Sequence, residues 1–132
     1  MKKVAVILVF MFLLCGCSVQ KDDMEKLRDI EFTVVDEMKI PVELKQYIED
    51  EKEEPFEIVY GDEGYLYLAK GYGTKETSGY SIEVKECFET SNIIYMETNL
   101  LGPQKKEEIQ EEESFPYIVL KIEYSDKSVV FE

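Results

Sequence analysis

The stretch YLYLAKGYGTKETSGYSIEVKECF, Tyr65 to Phe88, holds two β-patterned runs separated by a short polar turn. Tyr65 to Gly73 is rich in tyrosine and leucine, and from Tyr80 onward apolar and polar residues alternate strictly, with Tyr80, Ile82 and Val84 on one face and Ser81, Glu83 and Lys85 on the other. Gly71, Gly73 and Gly79 cluster about the turn Thr74–Gly79. A turn built this way is either a plain connection between strands or a loop presented to another protein, and the local pattern suits both.

Working outward, the same alternation recurs. FEIVY (56–60) precedes Gly61-Asp62-Glu63-Gly64, which reads as a four-residue hairpin loop, and DIEFTVVD (29–36) reads as a strand. NIIYMETNLLG (92–102) aligns Ile94, Met96, Thr98 and Leu100, while FPYIVLKIEY (115–124) aligns Ile118, Leu120, Ile122 and Tyr124. SDKS (125–128) then turns the chain into a last strand, VVFE. One helix interrupts the pattern: Pro41 suits a first helical turn, and Leu44, Tyr47 and Ile48 fall at i, i+3 and i+4. Its acidic C-terminal end opposes the helix dipole, so the helix is expected to end before Pro55. Gln104 to Ser114 is a polar run that reads as a long loop or a solvated helical turn. These elements predict a mainly β fold, a small antiparallel β-sandwich or partial barrel with one short amphipathic helix.

The amino terminus, MKKVAVILVFMFLLCGCS, joins two lysines to an apolar run and a small-residue cleavage site, the pattern of a secretory signal. The run Val4–Leu14 is shorter than the roughly 20 residues a membrane-spanning helix needs. Leu14-Cys15-Gly16-Cys17 is similar to a bacterial lipobox, in which the cysteine is lipidated and becomes the new first residue. Residues 1–16 are thus expected to be a lipoprotein signal peptide, Cys17 the lipid-bearing residue, 17–28 a polar tether and 29–132 a single domain. The competing reading is an ordinary signal, or an uncleaved anchor, with Cys17 unmodified. Under the first reading Cys87 is the one thiol left in the domain and no intrachain disulfide forms, so the fold must rest on its core. The expected location is the outer face of a bacterial cell membrane.

Net charge is −14, with 29 acidic against 15 basic side chains, and loss of Lys2 and Lys3 with the signal makes it more negative. Phosphate backbones repel such a chain, so the reading is no nucleic acid as partner. The chain has no histidine, which removes Ser-His-Asp and Cys-His catalysis and the usual zinc sites. No phosphate-cradling glycine motif or calcium loop occurs, so no cofactor and no metal are expected. Carboxylate pairs such as Asp62-Glu63 and Glu53-Glu54 fall in turns and charge runs, as solvated surface does. Cys87 lacks an activating imidazole and sits in a β-patterned stretch. The chain is therefore read as non-enzymatic.

Two segments stand out as binding candidates: Glu76, Thr77, Ser78, Gly79 and Tyr80, and Phe115, Pro116 and Tyr117. Gly73, Thr77-Ser78-Gly79-Tyr80, Gly102-Pro103 and Ser114-Phe115-Pro116-Tyr117 with the strand after it occur in an order and spacing that resembles the C-terminal domain of the protease complex subunit PrcB family, over about residues 65–124. Glu76 and Ser78 depart from the proline and glycine common in that family. The resemblance implies a secreted or lipid-anchored accessory subunit, partnered by a cell-surface or secreted protease without being one. A fainter likeness, of ETSGY and SFPY to the wedge loops of chagasin-type cysteine-protease inhibitors, would make the subunit inhibitor-like. The competing class is an envelope structural or ligand-binding lipoprotein that holds cations, glycan or peptide and has no protease partner.

Overall fold

The structure, a computed structural model, describes residues 25–132. The expected signal, Cys17 and most of the tether lie outside these residues. In chain order the elements are β1 (Arg28–Asp29), β2 (Thr33–Val34), a 3-10 turn (Glu37–Lys39), α1 (Val42–Glu51), β3 (Pro55–Asp62), β4 (Tyr65–Tyr72), β5 (Ser81–Glu89), β6 (Ile93–Leu101), a second 3-10 turn (Lys106–Glu108), β7 (Tyr117–Glu123) and β8 (Ser128–Phe131). They make two four-stranded sheets, A in the order β1-β5-β6-β8 and B in the order β2-β7-β4-β3. The mainly β sandwich with one helix predicted above is what forms, and neither sheet closes into a barrel.

Alternation along the central strands produces the layers. Leu66 and Leu68 of β4 and Ile118, Leu120 and Ile122 of β7 face Cys87, Ile94 and Met96 of sheet A, forming the core between the sheets. Leu68 and Leu120 are opposed across the strands and fully buried. Each such side chain stabilises the fold by about 1.5–3 kcal/mol relative to exposure. The alternate residues Tyr67, Ala69 and Val119 form a second core with Phe56, Ile40 and, from α1, Leu44 and Ile48. Sheet B is thus covered on both faces, which accounts for the nearly unbroken apolar runs YLYLA and YIVL. In α1 the buried stripe is narrow: Leu44 and Ile48 are inside, whereas Tyr47, expected on the same face, is 53% exposed. Pro41 caps the helix rather than opening its first turn, and the helix ends at Glu51 with no basic residue in its last turn.

Several connections differ from the sequence reading. DIEFTVVD is not one strand. Its first residues pair with β5 and Thr33–Val34 with β7, so the segment steps from one sheet to the other and Ile30 packs against the core on the way. Pairing begins with the last residue assigned to the tether, since Arg28 lies opposite Glu89. The β3–β4 hairpin has a two-residue loop, not four, because Gly61 and Asp62 stay in register with Leu66 and Tyr65. Glu63 (φ 49) and Gly64 (φ 84) both take the left-handed conformation that matches strand twist in such loops. The last strand does not continue the antiparallel meander: β8 crosses to sheet A and lies parallel to β6, where Val129 and Phe131 pack against the core. Tyr124 lies past the end of β7 and is 61% exposed. Lastly, the register of β5 against β6 shifts between Val84 and Glu86, so Ile82, Val84 and Cys87 all serve the inner core despite their spacing.

Candidate functional site

The loop 74–80 leaves β4 at the edge of the sandwich and is held there by main-chain bonds. Thr74 donates through its backbone N–H and its hydroxyl to the carbonyl of Glu53, at 3.1 and 3.0 Å. Lys75 and Ser114 exchange backbone bonds of 2.9 and 3.0 Å as an isolated bridge. From the same position the Ser114 hydroxyl donates to the Thr77 carbonyl at 2.7 Å. At the loop tip Ser78 and Gln110 bond reciprocally: the Ser78 N–H donates to the Gln110 carbonyl at 3.1 Å, and the Gln110 N–H donates to Oγ of Ser78 at 2.9 Å. Gly79, at φ 92, supplies the backbone reversal into β5 that a side chain would strain.

The polar run 104–114 is therefore a loop carrying one 3-10 turn, and it lies bonded along the 74–79 loop. Distant parts of the chain meet here, since 74–79 and 110–114 form a double-layered rim whose attractions are almost wholly polar. The stretch Thr74–Gly79 is thus not a tight hairpin connection, because a second loop is laced to it.

Phe115, Pro116 and Tyr117 continue directly from this rim but point elsewhere. Lys52 Nζ, just past α1, stands 4.7 Å from the centroid of the Phe115 ring. The Tyr117 ring is 6.4 Å from that of Phe56 and packs against the core under α1. Burial, with the nearby Glu37 carboxylate, pushes the Tyr117 phenol above its usual range, so it is a neutral hydroxyl at physiological pH. Together with Val34, Val35, Glu37 and Ile40, these three residues line a groove of about 280 Å³ beside β7. Lys45 closes a 2.8 Å ion pair with Glu37 at its border, which holds the Glu37 carboxyl below its ordinary range. The two candidate segments are joined through Ser114, yet of the two only 115–117 lines the groove and 76–80 lies outside it. Tyr80 is half-buried with its ring against Gly102, so only Glu76 of the first segment is fully displayed.

A chemical site is not assembled from these residues. Burial, and to a smaller extent Asp29, raises the Cys87 thiol to about 11, leaving it protonated and poorly nucleophilic at neutral pH. Carboxylates that the sequence scatters through turns stay on the surface, most of them exposed. Among the more enclosed ones, Glu89 receives Lys127 at 2.9 Å and Arg28 at 3.0 Å, and these bonds hold its carboxyl low. Lys127 also donates to the Thr90 carbonyl at 2.7 Å. This cluster ties β1, the end of β5 and the turn before β8, and no sequence pattern marked it.

A family model described as PrcB C-terminal matches residues 66–123. The match runs from β4 to the last residue of β7 and contains both candidate segments, the rim and Cys87. No curated protein and no solved structure matches the chain.

Proposed function

From the premise that residues 66–123 are a PrcB C-terminal domain, a family of protease-complex subunits, we propose that this protein is a non-enzymatic accessory or inhibitor-like subunit of a cell-surface protease complex. In this reading it is lipid-anchored through Cys17 on the outer face of a bacterial membrane, and the tether holds the domain close to that surface. The observation that carries the binding surface is the laced rim: loops 74–79 and 110–114 share the Lys75–Ser114 bridge and the Ser78–Gln110 pair. Main-chain bonds fix its shape before any partner arrives, so little conformational entropy is lost on docking. Glu76, the fully exposed residue of the first segment, forms its outward part with the partly exposed Thr77 and Ser78 beside it, and Phe115 and Pro116 continue it toward the groove.

The test is affinity capture by the lipidated chain from envelope extract, read by mass spectrometry, with the double variant Glu76→Ala/Thr77→Ala as control. Tyr117 is a poor control residue, because its ring belongs to the core under α1. A protease enriched by the wild-type chain and lost with the variant, at unchanged thermal midpoint, is the expected result. Equal capture by both would sink the rim as the contact surface, and no protease in either would sink the proposal. Anchoring is tested separately: Cys17→Ser should move the protein from the membrane fraction to the soluble fraction.

A further inference from the structure

Three of the four sheet edges are short: β1 and β2 have two residues each, and β8 has four. The fourth is β3, eight residues long and, among the described residues, paired on one side only. Its two-residue hairpin fixes which backbone groups are open. Asp62 and Tyr65 close the loop as a hydrogen-bonded pair, so alternate residues back along β3 (Tyr60, Ile58, Phe56) turn their N–H and C=O toward β4. Glu57, Val59 and Gly61 consequently turn theirs outward, offering three donors and three acceptors along the edge. The side chain there adds apolar surface, since Val59 is 46% exposed.

The surroundings of this edge are acidic on both faces. On the helix side Glu43, Tyr47 and Glu51 recur at i, i+4 and i+8, and Glu43 accepts a 3.0 Å hydrogen bond from the Tyr60 hydroxyl of β3, which sets that stripe beside the strand. On the other face stands Glu57, and Asp62 and Glu63 close the far end. The neighbouring cation, Lys70, is largely buried, 3.9 Å from Glu57 and 5.5 Å from the Tyr72 ring centroid. An extended chain laid along β3 would meet unpartnered backbone, an exposed valine, the half-exposed Tyr47 ring and several carboxylates.

We propose that β3 docks an extended peptide segment with lysine or arginine at alternate positions, which joins sheet B as a fifth strand. Main-chain bonds to Glu57, Val59 and Gly61 would supply the affinity, and the flanking carboxylates would select basic side chains. The same charges disfavour a second copy of this acidic chain at the edge. This inference does not depend on the rim at 74–79, which lies beyond the opposite end of β4 from the hairpin.

The experiment titrates the full chain with a short fluorescent peptide that alternates lysine and valine. Controls are the same peptide N-methylated at every second residue and a peptide with glutamate for lysine. The expected result is saturable binding that weakens by about tenfold or more on N-methylation, is lost with the glutamate peptide, and shifts the amide resonances of Val59 and Gly61. Val59→Pro removes one outward N–H without touching the β4 ladder and should weaken binding similarly. Equal affinity for the N-methylated peptide would reduce the interaction to unspecific charge attraction and overturn the proposal, as would absence of saturation. Concentration-dependent dimerisation of the chain, abolished by Val59→Pro, would give the edge to a second copy instead.

Discussion

The strands β4 and β7 and the rim made by loops 74–79 and 110–114 adjoin in space, yet they are held by different forces. Along Leu66–Ala69 of β4 and Tyr117–Leu120 of β7, with Ile122, the side chains alternate between the inter-sheet core and the core under α1, and the residues there are leucine, isoleucine, valine, alanine and tyrosine. In the rim the attractions are backbone and hydroxyl hydrogen bonds, with threonine, serine, glutamine and glutamate as the residues. A net intramolecular hydrogen bond contributes about 1 kcal/mol, against several for a buried leucine. The strands therefore set the stability of the domain, while the rim can change sequence, or open locally, at small global cost. That is the division expected when a rigid scaffold carries a recognition loop.

Substitutions can break this contrast. Leu120→Ala, at a fully buried position between the sheets, should destabilise the domain by about 3 kcal/mol or more, seen as a drop in the denaturant midpoint. Gly71→Ala probes the other core. Phe56 lies across Gly71 so closely that an added Cβ would stand 2.1 Å from a ring carbon. Ring and backbone both have to shift, for a loss of about 2 kcal/mol. Combining it with Phe56→Leu should recover part of that loss, and a strictly additive double variant would show that the ring is not the obstacle.

The smallest effect is expected in the rim. Ser78→Ala removes the hydroxyl that accepts the Gln110 N–H, so global stability should fall by about 1 kcal/mol or less. Amide exchange should nevertheless accelerate at Gln110 while Leu68 and Leu120 stay protected. Uniform acceleration across the chain would mean that the rim and the strands open as one unit, and the comparison would fail.

Much of the architecture was legible in residue order. Two-residue periodicity marked β3, β5, β6 and β7, a tyrosine- and leucine-rich run marked β4, the turn SDKS announced β8, the helix was visible from Leu44, Tyr47 and Ile48, and TSGY and SFPY pointed to the family matched over 66–123. What could be misread were features decided by partners remote in sequence. Ile30, Phe32 and Val34 alternate like one strand, but the segment pairs first with β5 and then with β7, because it spans the open end of the sandwich. Tyr47 has helical spacing suited to burial, yet the core under α1 takes in Leu44 and Ile48 and leaves Tyr47 outside. Nothing local in VVFE distinguishes an antiparallel neighbour of β7 from a parallel neighbour of β6.

The candidate site divides in the same way. Residue types and turn chemistry singled out 76–80 and 115–117 as candidates, since glycine at φ 92 and proline at a strand entrance are local requirements of the backbone. That Ser78 would bond Gln110, that Ser114 would reach Thr77 and that Phe115 and Tyr117 would turn toward the helix side depends on how β4 and β7 pair. Periodicity is a property of neighbours along the chain, and a single sequence displays it directly. Register, sheet membership and the meeting of two loops follow from burying the most apolar surface across the whole domain, and that sum is settled only when all the elements have packed.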